Sequence, residues 1–271
     1  MLQNMKKVIY IPIESRVREL DAKSLLASTA LRFGWDVIIG REDVLNEHIV
    51  NLPRGIYIAK NVNKDKVSLI ESIRKTGHAI AMCDEEAGLA QNDQDTFLRQ
   101  RFDTRNLEHL DVVFLWSDEQ KRVFDVIFTD YDVLTKSLGT PRLDLMTKHH
   151  NALVDEGADY YRTRYGEKYI LISSNFTVNS IYGKSKFISK LNSIARDPQE
   201  RASFERWFAY KEDTFSKYIE SISELAGRIE DVKIVIRPHP GEDNSAWGEL
   251  SSCHNVYIDS SFSLVSAIKS S

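Results

Sequence analysis

Cysteine, glycine and proline are scarce in this sequence. Its 271 residues include two cysteines, Cys83 and Cys253, which lie far apart and form no Cys-x-x-Cys pair. This spacing argues against a disulfide framework or a zinc site, and it fits a reducing compartment. Twelve glycines and six prolines are also too few for a low-complexity or disordered chain. We therefore expect an ordinary globular protein, and the length favours two domains.

Long apolar runs and an excess of positive charge are also missing. No stretch approaches the ~20 consecutive apolar residues that span a bilayer. The first seven residues lead directly into a β-branched run, without the apolar segment and cleavage site of a signal peptide. The net charge of −4 gives no sign of a nucleic-acid-binding surface. We expect a cytoplasmic protein with no nucleic-acid partner and at most a peripheral contact with the inner face of a membrane.

Several widespread catalytic motifs are absent as well. The sequence contains no GxSxG, HExxH or GxGxxG motif and no Walker motif. This argues against the hydrolases, zinc proteases, dinucleotide-binding enzymes and P-loop enzymes that carry them. The pair His149 and His150 falls in a polar, helix-like stretch, and we expect it to face solvent rather than bind a metal. We expect neither a bound metal nor a resident cofactor.

Short β-branched runs alternate with longer amphipathic segments, which is typical of βαβ units around a parallel sheet. Five runs predict strands in the first half, at residues 8–13, 36–40, 55–59, 78–82 and 112–116. Three more predict strands at 168–173, 232–236 and 256–258. We predict an α/β fold with two Rossmann-like parallel-sheet domains that face each other across a cleft. Their predicted extents are 1–142 and 168–271, joined by a helical connection at 143–167.

Three local signals refine the predicted helices. Gly77 is expected directly after the end of a helix that starts near residue 64. Asp118 is expected to cap the start of the helix that follows the fifth strand. The segment 200–230 predicts a helix with a break near 211–213.

The second domain is predicted to be incomplete. It has about three strands, whereas a nucleotide-binding domain of this kind usually has five or six. A last run, at 263–269, resembles only the opening of a helix. We therefore expect either an unusually small domain or, preferably, a chain that is shortened relative to a working enzyme.

The first candidate site is an acidic loop after the fourth strand. Asp84, Glu85 and Glu86 are consecutive carboxylates at a strand's carboxyl end, where parallel sheets bind their ligands. Repulsion between crowded carboxylates raises the pKa of one of them, which suits general acid–base catalysis. The alternative is an acidic loop that merely caps the next helix.

A second candidate site follows the strand at 232–236. Two prolines flank His239 and fix the direction of its ring, and Arg237 can form two parallel hydrogen bonds to a phosphate or carboxylate. Glu242 closes the same loop and is assigned to the ligand-binding group. The alternative is a surface turn with an incidental histidine.

A third candidate follows the strand at 168–173. Ser173, Ser174 and Asn175 form a run of small hydrogen-bonding residues, which can hold a phosphate or a ribose. Ordinary turn chemistry explains the run almost equally well.

Four segments occur in an order that resembles a known family: Ile11–Glu14 with Arg18–Asp21, Asp84–Gly88, Gly139–Asp144 and Arg237–Pro240. Together they resemble bacterial surface carbohydrate biosynthesis proteins. Those proteins are similar to two-Rossmann-domain (GT-B) glycosyltransferases that use CMP-activated acidic sugars, including retaining Kdo transferases and bacterial sialyltransferases. The His-Pro pair and the Gly-x-Pro-Arg-x-Asp stretch are also similar to those of CDP-glycerol transferases.

The resemblance implies a glycosyltransferase that moves a Kdo-like sugar from a CMP-linked donor, which is a substrate, to a surface polysaccharide or lipopolysaccharide acceptor. The first domain then holds a saccharide or lipid-linked acceptor, and the acidic loop supplies the catalytic carboxylate. His239 matches the histidine that contacts the donor phosphate, with Arg237 beside it. Ser260 and Ser261 come too early to match the family's nucleotide-binding serine stretch.

Two alternatives to this reading stay open, along with the oligomeric state. One is CDP-glycerol-type glycerophosphate transfer. The other is a non-catalytic or incomplete chain that binds a nucleotide or a partner protein without turnover. Homo-oligomerisation is compatible with all three.

Overall fold

The computed structural model describes residues 7–85, 94–181, 183–194 and 197–271. The chain divides into two compact units, Met1–Leu153 (unit 1) and Val154–Ser271 (unit 2). The division falls inside the segment that the sequence assigns to a helical connection. The helical connection predicted at 143–167 is not one continuous helix, because non-helical backbone at His150 interrupts it between shorter helical pieces.

Unit 1 is built on one sheet of six parallel strands. These are β1 (Val8–Ile13), β2 (Asp36–Arg41), β3 (Ile56–Ala59), β4 (Ala79–Cys83), β5 (Val112–Leu115) and β6 (Leu134–Ser137). Their order across the sheet is β2-β1-β3-β4-β5-β6. The helices are α1 (Arg16–Arg32), α2 (Glu42–His48), α3 (Val67–Lys75), α4 (Gln94–Arg101), α5 (Thr104–Leu107), α6 (Asp118–Ile127) and α7 (Pro141–Asp144).

Both faces of this sheet are covered. Successive residues of β1, Tyr10 and Ile11, are fully buried but belong to different apolar clusters. One cluster includes Ile73 of α3 and Phe124 of α6, and the other includes Ala27 of α1. Burial on both faces explains why the inner strands β1 and β4 read as continuous apolar runs rather than as alternating ones.

The helix boundaries follow from local chemistry. Gly77 has a φ of 87° directly after the α3 cap, as predicted for a glycine in the left-handed conformation. The predicted cap at Asp118 is wrong by one residue, because the hydroxyl of Ser117 accepts the Gln120 N–H and Asp118 is the first helical residue.

Unit 2 is built on a smaller parallel sheet. Its strands are β7 (Ile170–Ser173), β8 (Ile234–Arg237) and β9 (Val256–Ile258), in the order β7-β8-β9. Its helices are α8 (Asp155–Tyr165), α9 (Lys184–Ile194), α10 (Pro198–Arg228) and α11 (Leu264–Ser270). The predicted α/β fold with two separate parallel sheets is confirmed, and the expectation that further strands follow in a working enzyme stays a prediction.

The long helix α10 differs from its prediction. It runs unbroken for 31 residues, so the predicted interruption at 211–213 is wrong. Asp197 caps its start by accepting the N–H groups of Gln199 and Glu200, and Pro198 occupies the first helical position. Ile219 and Ile222 in its second half pack against Trp247 and the sheet. None of the helices in the described ranges is both long enough and apolar enough to cross a membrane.

Candidate functional site

The acidic loop of unit 1 begins where β4 ends, and its first carboxylate is tied to a cation. Both oxygens of Asp84 accept hydrogen bonds from the Arg101 guanidinium, at 2.6 and 2.7 Å. The Asp84 carbonyl accepts the indole N–H of Trp116 at 2.6 Å. Burial raises the pKa of the preceding Cys83 thiol to about 11. That thiol therefore stays protonated at neutral pH and is not a nucleophile.

The second carboxylate of the loop is also held by cations. Glu85 Oε1 lies 2.6 Å from Lys23 Nζ, and Oε2 lies 3.1 Å from the Arg142 guanidinium. The Glu85 and Lys23 side chains are only 4% and 3% exposed. The predicted acid–base role depended on repulsion between neighbouring carboxylates. In the structure, Asp84 and Glu85 are instead each paired with cations. Glu86 lies outside the described residues, as do Ala87 and Gly88, so the catalytic role of this loop stays a prediction.

A second group of charges lies at the ends of β1 and β3. The fully buried Glu19 carboxylate accepts the N–H groups of Glu14 (3.1 Å) and Ser15 (3.4 Å) and lies 2.9 Å from Lys60 Nζ. Lys60 also pairs with Glu14. Burial alone would lower the pKa of Lys60, but its hydrogen bonds to these two carboxylates leave the pKa raised. The hydrogen bond from Lys60 lowers the pKa of Glu14.

The position of this second group has a topological reason. The strand order is β2-β1-β3, so β2 lies on one side of β1 and β3 lies on the other. The direction in which the chain crosses the sheet therefore reverses at β1. Parallel sheets bind ligands at such switch points, beyond the carboxyl ends of the strands. The segments that carry the family resemblance include Glu14 and Arg18–Asp21, but the sequence reasoning missed Lys60. Its place directly after the β-branched run of β3 was the available signal.

In unit 2, three loops meet at one edge of the sheet. Ser173 at the end of β7 pairs with Arg237 at the end of β8, and Ile236 pairs with Ile258 on β9. The segments 174–176, 238–242 and 259–261 therefore follow neighbouring strand ends. The sequence-predicted groups around Ser173 and His239 are brought together here.

Glu242 ties two of these loops together. Its carboxylate is 5% exposed and accepts the Ser174 hydroxyl at 3.0 Å and the Phe176 N–H at 2.7 Å. It also accepts the His239 N–H and the indole N–H of Trp247, each at 3.3 Å. Glu242 holds the loops with four donors from the protein itself, and its predicted role in ligand binding stays a prediction. Ser173 and Asn175, on either side of Ser174, are exposed.

Arg237 is a buried cation at the end of the central strand. It is 6% exposed, and its guanidinium donates to the hydroxyl of Tyr161 at 3.1 Å. It forms no ion pair within the described ranges of the chain. A buried charge without a counter-ion is costly, whereas a bound anion would supply the missing partner. This arrangement is suited to holding a phosphate or carboxylate.

His239 stands beside Arg237 in a fixed tautomer. Its Nδ1 atom accepts the N–H of Gly241 at 3.0 Å, so the neutral ring carries its proton on Nε2. The ring is half-buried, between the buried Pro238 and the exposed Pro240. The neutral side chain therefore has Nε2–H available as a donor, which is how a histidine binds an oxyanion without transferring a proton.

Asp259, after β9, was missed by the sequence reasoning. It accepts hydrogen bonds from the hydroxyls of Tyr165 (2.6 Å) and Tyr160 (3.0 Å) and from the Ser261 N–H (2.8 Å). Burial alone would raise the pKa of Asp259, but these hydrogen bonds outweigh it and lower the pKa. Ser260 and Ser261 are exposed beside it. The signal that could have found Asp259 is its place immediately after a strand.

Comparisons with known proteins give little beyond this geometry. No protein-family model matches the chain, and no curated protein matches it. One solved structure that is similar is described as the S. aureus MnaA-UDP co-structure. The similarity has a TM-score of 0.48 and 10% sequence identity, and it covers 98% of this chain and 70% of that one. Similarity at this level carries no argument about activity.

In the described part of the chain, no three His, Cys, Asp or Glu side chains are grouped so that they could hold a metal ion.

Proposed function

We propose that the protein binds a nucleotide-activated sugar, whose phosphate lies against Arg237 and His239 of unit 2. We further propose that it is a glycosyltransferase acting on a CMP-linked, Kdo-like acidic sugar, with a bacterial surface polysaccharide or lipopolysaccharide as acceptor. The observation that carries the first proposal is the buried Arg237 guanidinium, which has no ion pair among the described residues and lies at a strand's carboxyl end. The cytidine and the acidic sugar are supported by the family resemblance of the four motifs.

The chemistry of the two side chains suits a leaving phosphate. Negative charge develops on the phosphate oxygens as the bond from the sugar to CMP breaks. Arg237 offers a permanent positive charge, and neutral His239 offers Nε2–H, so both stabilise that charge without accepting a proton. The carboxylate that acts as base or nucleophile comes, in this proposal, from the Asp84–Glu86 segment. No resident cofactor takes part, because the nucleotide sugar is a substrate.

A nucleotide titration tests the phosphate site and the base together. Isothermal titration calorimetry with CMP, CDP, UDP and inorganic phosphate should show the tightest binding for the cytidine nucleotides. His239→Ala should weaken CMP binding by about ten- to a hundredfold, because it removes one hydrogen bond to a charged group. His254→Ala is the matched control, since His254 is an exposed histidine of the same unit.

The outcomes separate the parts of the proposal. CMP binding that His239→Ala leaves unchanged would remove the phosphate site from this loop. Equal affinity for CMP and UDP would retain the phosphate site but contradict the cytidine donor. Turnover of CDP-glycerol in competition with a CMP-sugar would replace sugar transfer by glycerophosphate transfer. Binding without turnover of either donor would favour a non-catalytic nucleotide-binding protein.

A further inference from the structure

We propose that Arg142 and Lys23 are positioning residues that clamp Glu85 and thereby fix the start of the acidic loop, directly after β4. Glu85 is then the anchor of the loop rather than its reacting carboxylate. The functional meaning of this clamp rests on the proposed function, in which the acidic loop takes part in sugar transfer. The clamp also explains the Gly-Thr-Pro-Arg motif at 139–142, to which the proposed phosphate site gives no role.

The motif delivers Arg142 to the loop through a tight turn. After β6, the N–H groups of Leu138 and Gly139 both donate to the Leu115 carbonyl, at 3.0 and 3.1 Å. Gly139 has a φ of 79°, a conformation that favours glycine, and it reverses the chain. Pro141 then starts α7 at the first helical position. This turn places Arg142 on the first turn of α7, three residues after Gly139.

The Arg142 guanidinium reaches three acceptors on two segments. It lies 3.1 Å from Glu85 Oε2, and it donates to the carbonyls of Glu85 and Arg18, each at 3.4 Å. Lys23 approaches the other carboxylate oxygen, Oε1, from α1. Residues 23, 85 and 142 are far apart in sequence, so the contact joins α1, α7 and the loop after β4. Each oxygen of Glu85 is thus held by a different element.

Stability alone explains this arrangement poorly. A buried ion pair is often no more stabilising than apolar residues of the same size, because both charges lose their hydration. Thr140 Oγ1 and Arg142 Nε are also buried without a hydrogen-bond partner in the described part of the chain, which costs further free energy. Geometry that is retained at such a cost is expected where a functional group must be placed accurately, since a displacement of about 1 Å can slow a reaction by roughly a hundredfold.

The test compares Arg142→Met and Arg142→Lys with Arg122→Met, each in the 271-residue chain. Arg122 is an exposed arginine of the same unit, paired with Glu119 on α6, and serves as the matched control. We expect Arg142→Met to lower kcat for sugar transfer roughly ten- to a hundredfold while the Kd for CMP changes less than about twofold. Arg142→Lys should give an intermediate kcat, because a lysine keeps the charge but not the planar fork that reaches all three acceptors.

Hydrogen exchange gives a second measurement that does not depend on turnover. A peptide spanning residues 79–85 should exchange faster in Arg142→Met than in the wild type, and peptides of unit 2 should be unchanged. If the wild type transfers no sugar from any CMP donor, the proposed function fails, and this exchange result still decides whether Arg142 holds the loop. Unchanged exchange at 79–85 would overturn the clamp. Faster exchange with an unchanged kcat would overturn its role in transfer.

Discussion

Replacing Arg237 by methionine should make unit 2 more stable while it loses its affinity for phosphate. The guanidinium is 6% exposed and has one hydrogen bond, to Tyr161, as its partner in the described structure. Burying an ion without a counter-ion costs several kcal/mol after relaxation, whereas a hydrogen bond to a charged group returns about 1.5–3 kcal/mol. Methionine fills a similar volume without a charge. We therefore expect the free energy of unfolding to rise by about 1–3 kcal/mol.

Urea unfolding and CMP titration on the same preparations measure both effects. The loss of a charged contact to phosphate should raise the Kd for CMP by about ten- to a hundredfold. A saturating concentration of CMP should therefore stabilise the wild type more than the variant, because a ligand stabilises the state to which it binds. The reasoning is refuted if Arg237→Met lowers stability by more than about 2 kcal/mol in the absence of ligand, since Arg237 would then have a stabilising partner.

Two further predictions concern unit 1. His78 is 1% exposed, with its ring between the Ile49 carbonyl (3.0 Å) and the Gly55 N–H (3.3 Å), and burial lowers its pKa below the ordinary 6.5. The unfolded chain then binds more protons as the pH falls through 6.5, so stability is full above that pH and declines below it. Urea unfolding at several pH values should show this slope, and His78→Gln should flatten it; equal slopes would contradict the assignment. Gly139→Ala should cost about 1 kcal/mol in thermal unfolding, because its positive φ disfavours a Cβ, and an unchanged melting temperature would show that the turn can relax.

The strands were predictable where both faces of a sheet are covered. The residues of β1 enter two apolar clusters, so the strand appears in the sequence as a continuous apolar run, and its position follows from that run. β6 escaped because it is an edge strand with the sequence Leu-Thr-Lys-Ser, alternately exposed and half-buried, and it has no apolar run. The predicted break in α10 falls on the charged stretch 211–213, but charges are tolerated on the exposed side of a long helix.

The candidate sites were predictable to the extent that they follow strand ends. The rule that parallel sheets bind ligands at the carboxyl ends of their strands identified the loops at Asp84 and His239. It did not identify the side chains that pack against those loops. Lys23 sits on the buried face of a helix among alanines, and only tertiary packing brings it to Glu85. The same holds for Tyr161 beside Arg237. The pattern of one segment predicts which element carries a residue. It does not predict the partner of that side chain, because the partner comes from a distant part of the chain.

At the carboxyl ends of the strands in unit 2, the hydrogen bonds of Glu242 hold some residues in place and leave others free to be substituted. Ser174 points inward to that carboxylate, so its hydroxyl is fixed by the scaffold, together with the backbone of Phe176 and His239. The exposed Ser173 and Asn175 are not among the described residues that donate a hydrogen bond to Glu242. Substitutions at those two positions can therefore change which ligand groups are bound at the ends of the strands. The positions of the loops, which Glu242 holds, would stay the same. An engineer seeking a new ligand preference would randomise these two positions and leave Glu242 untouched.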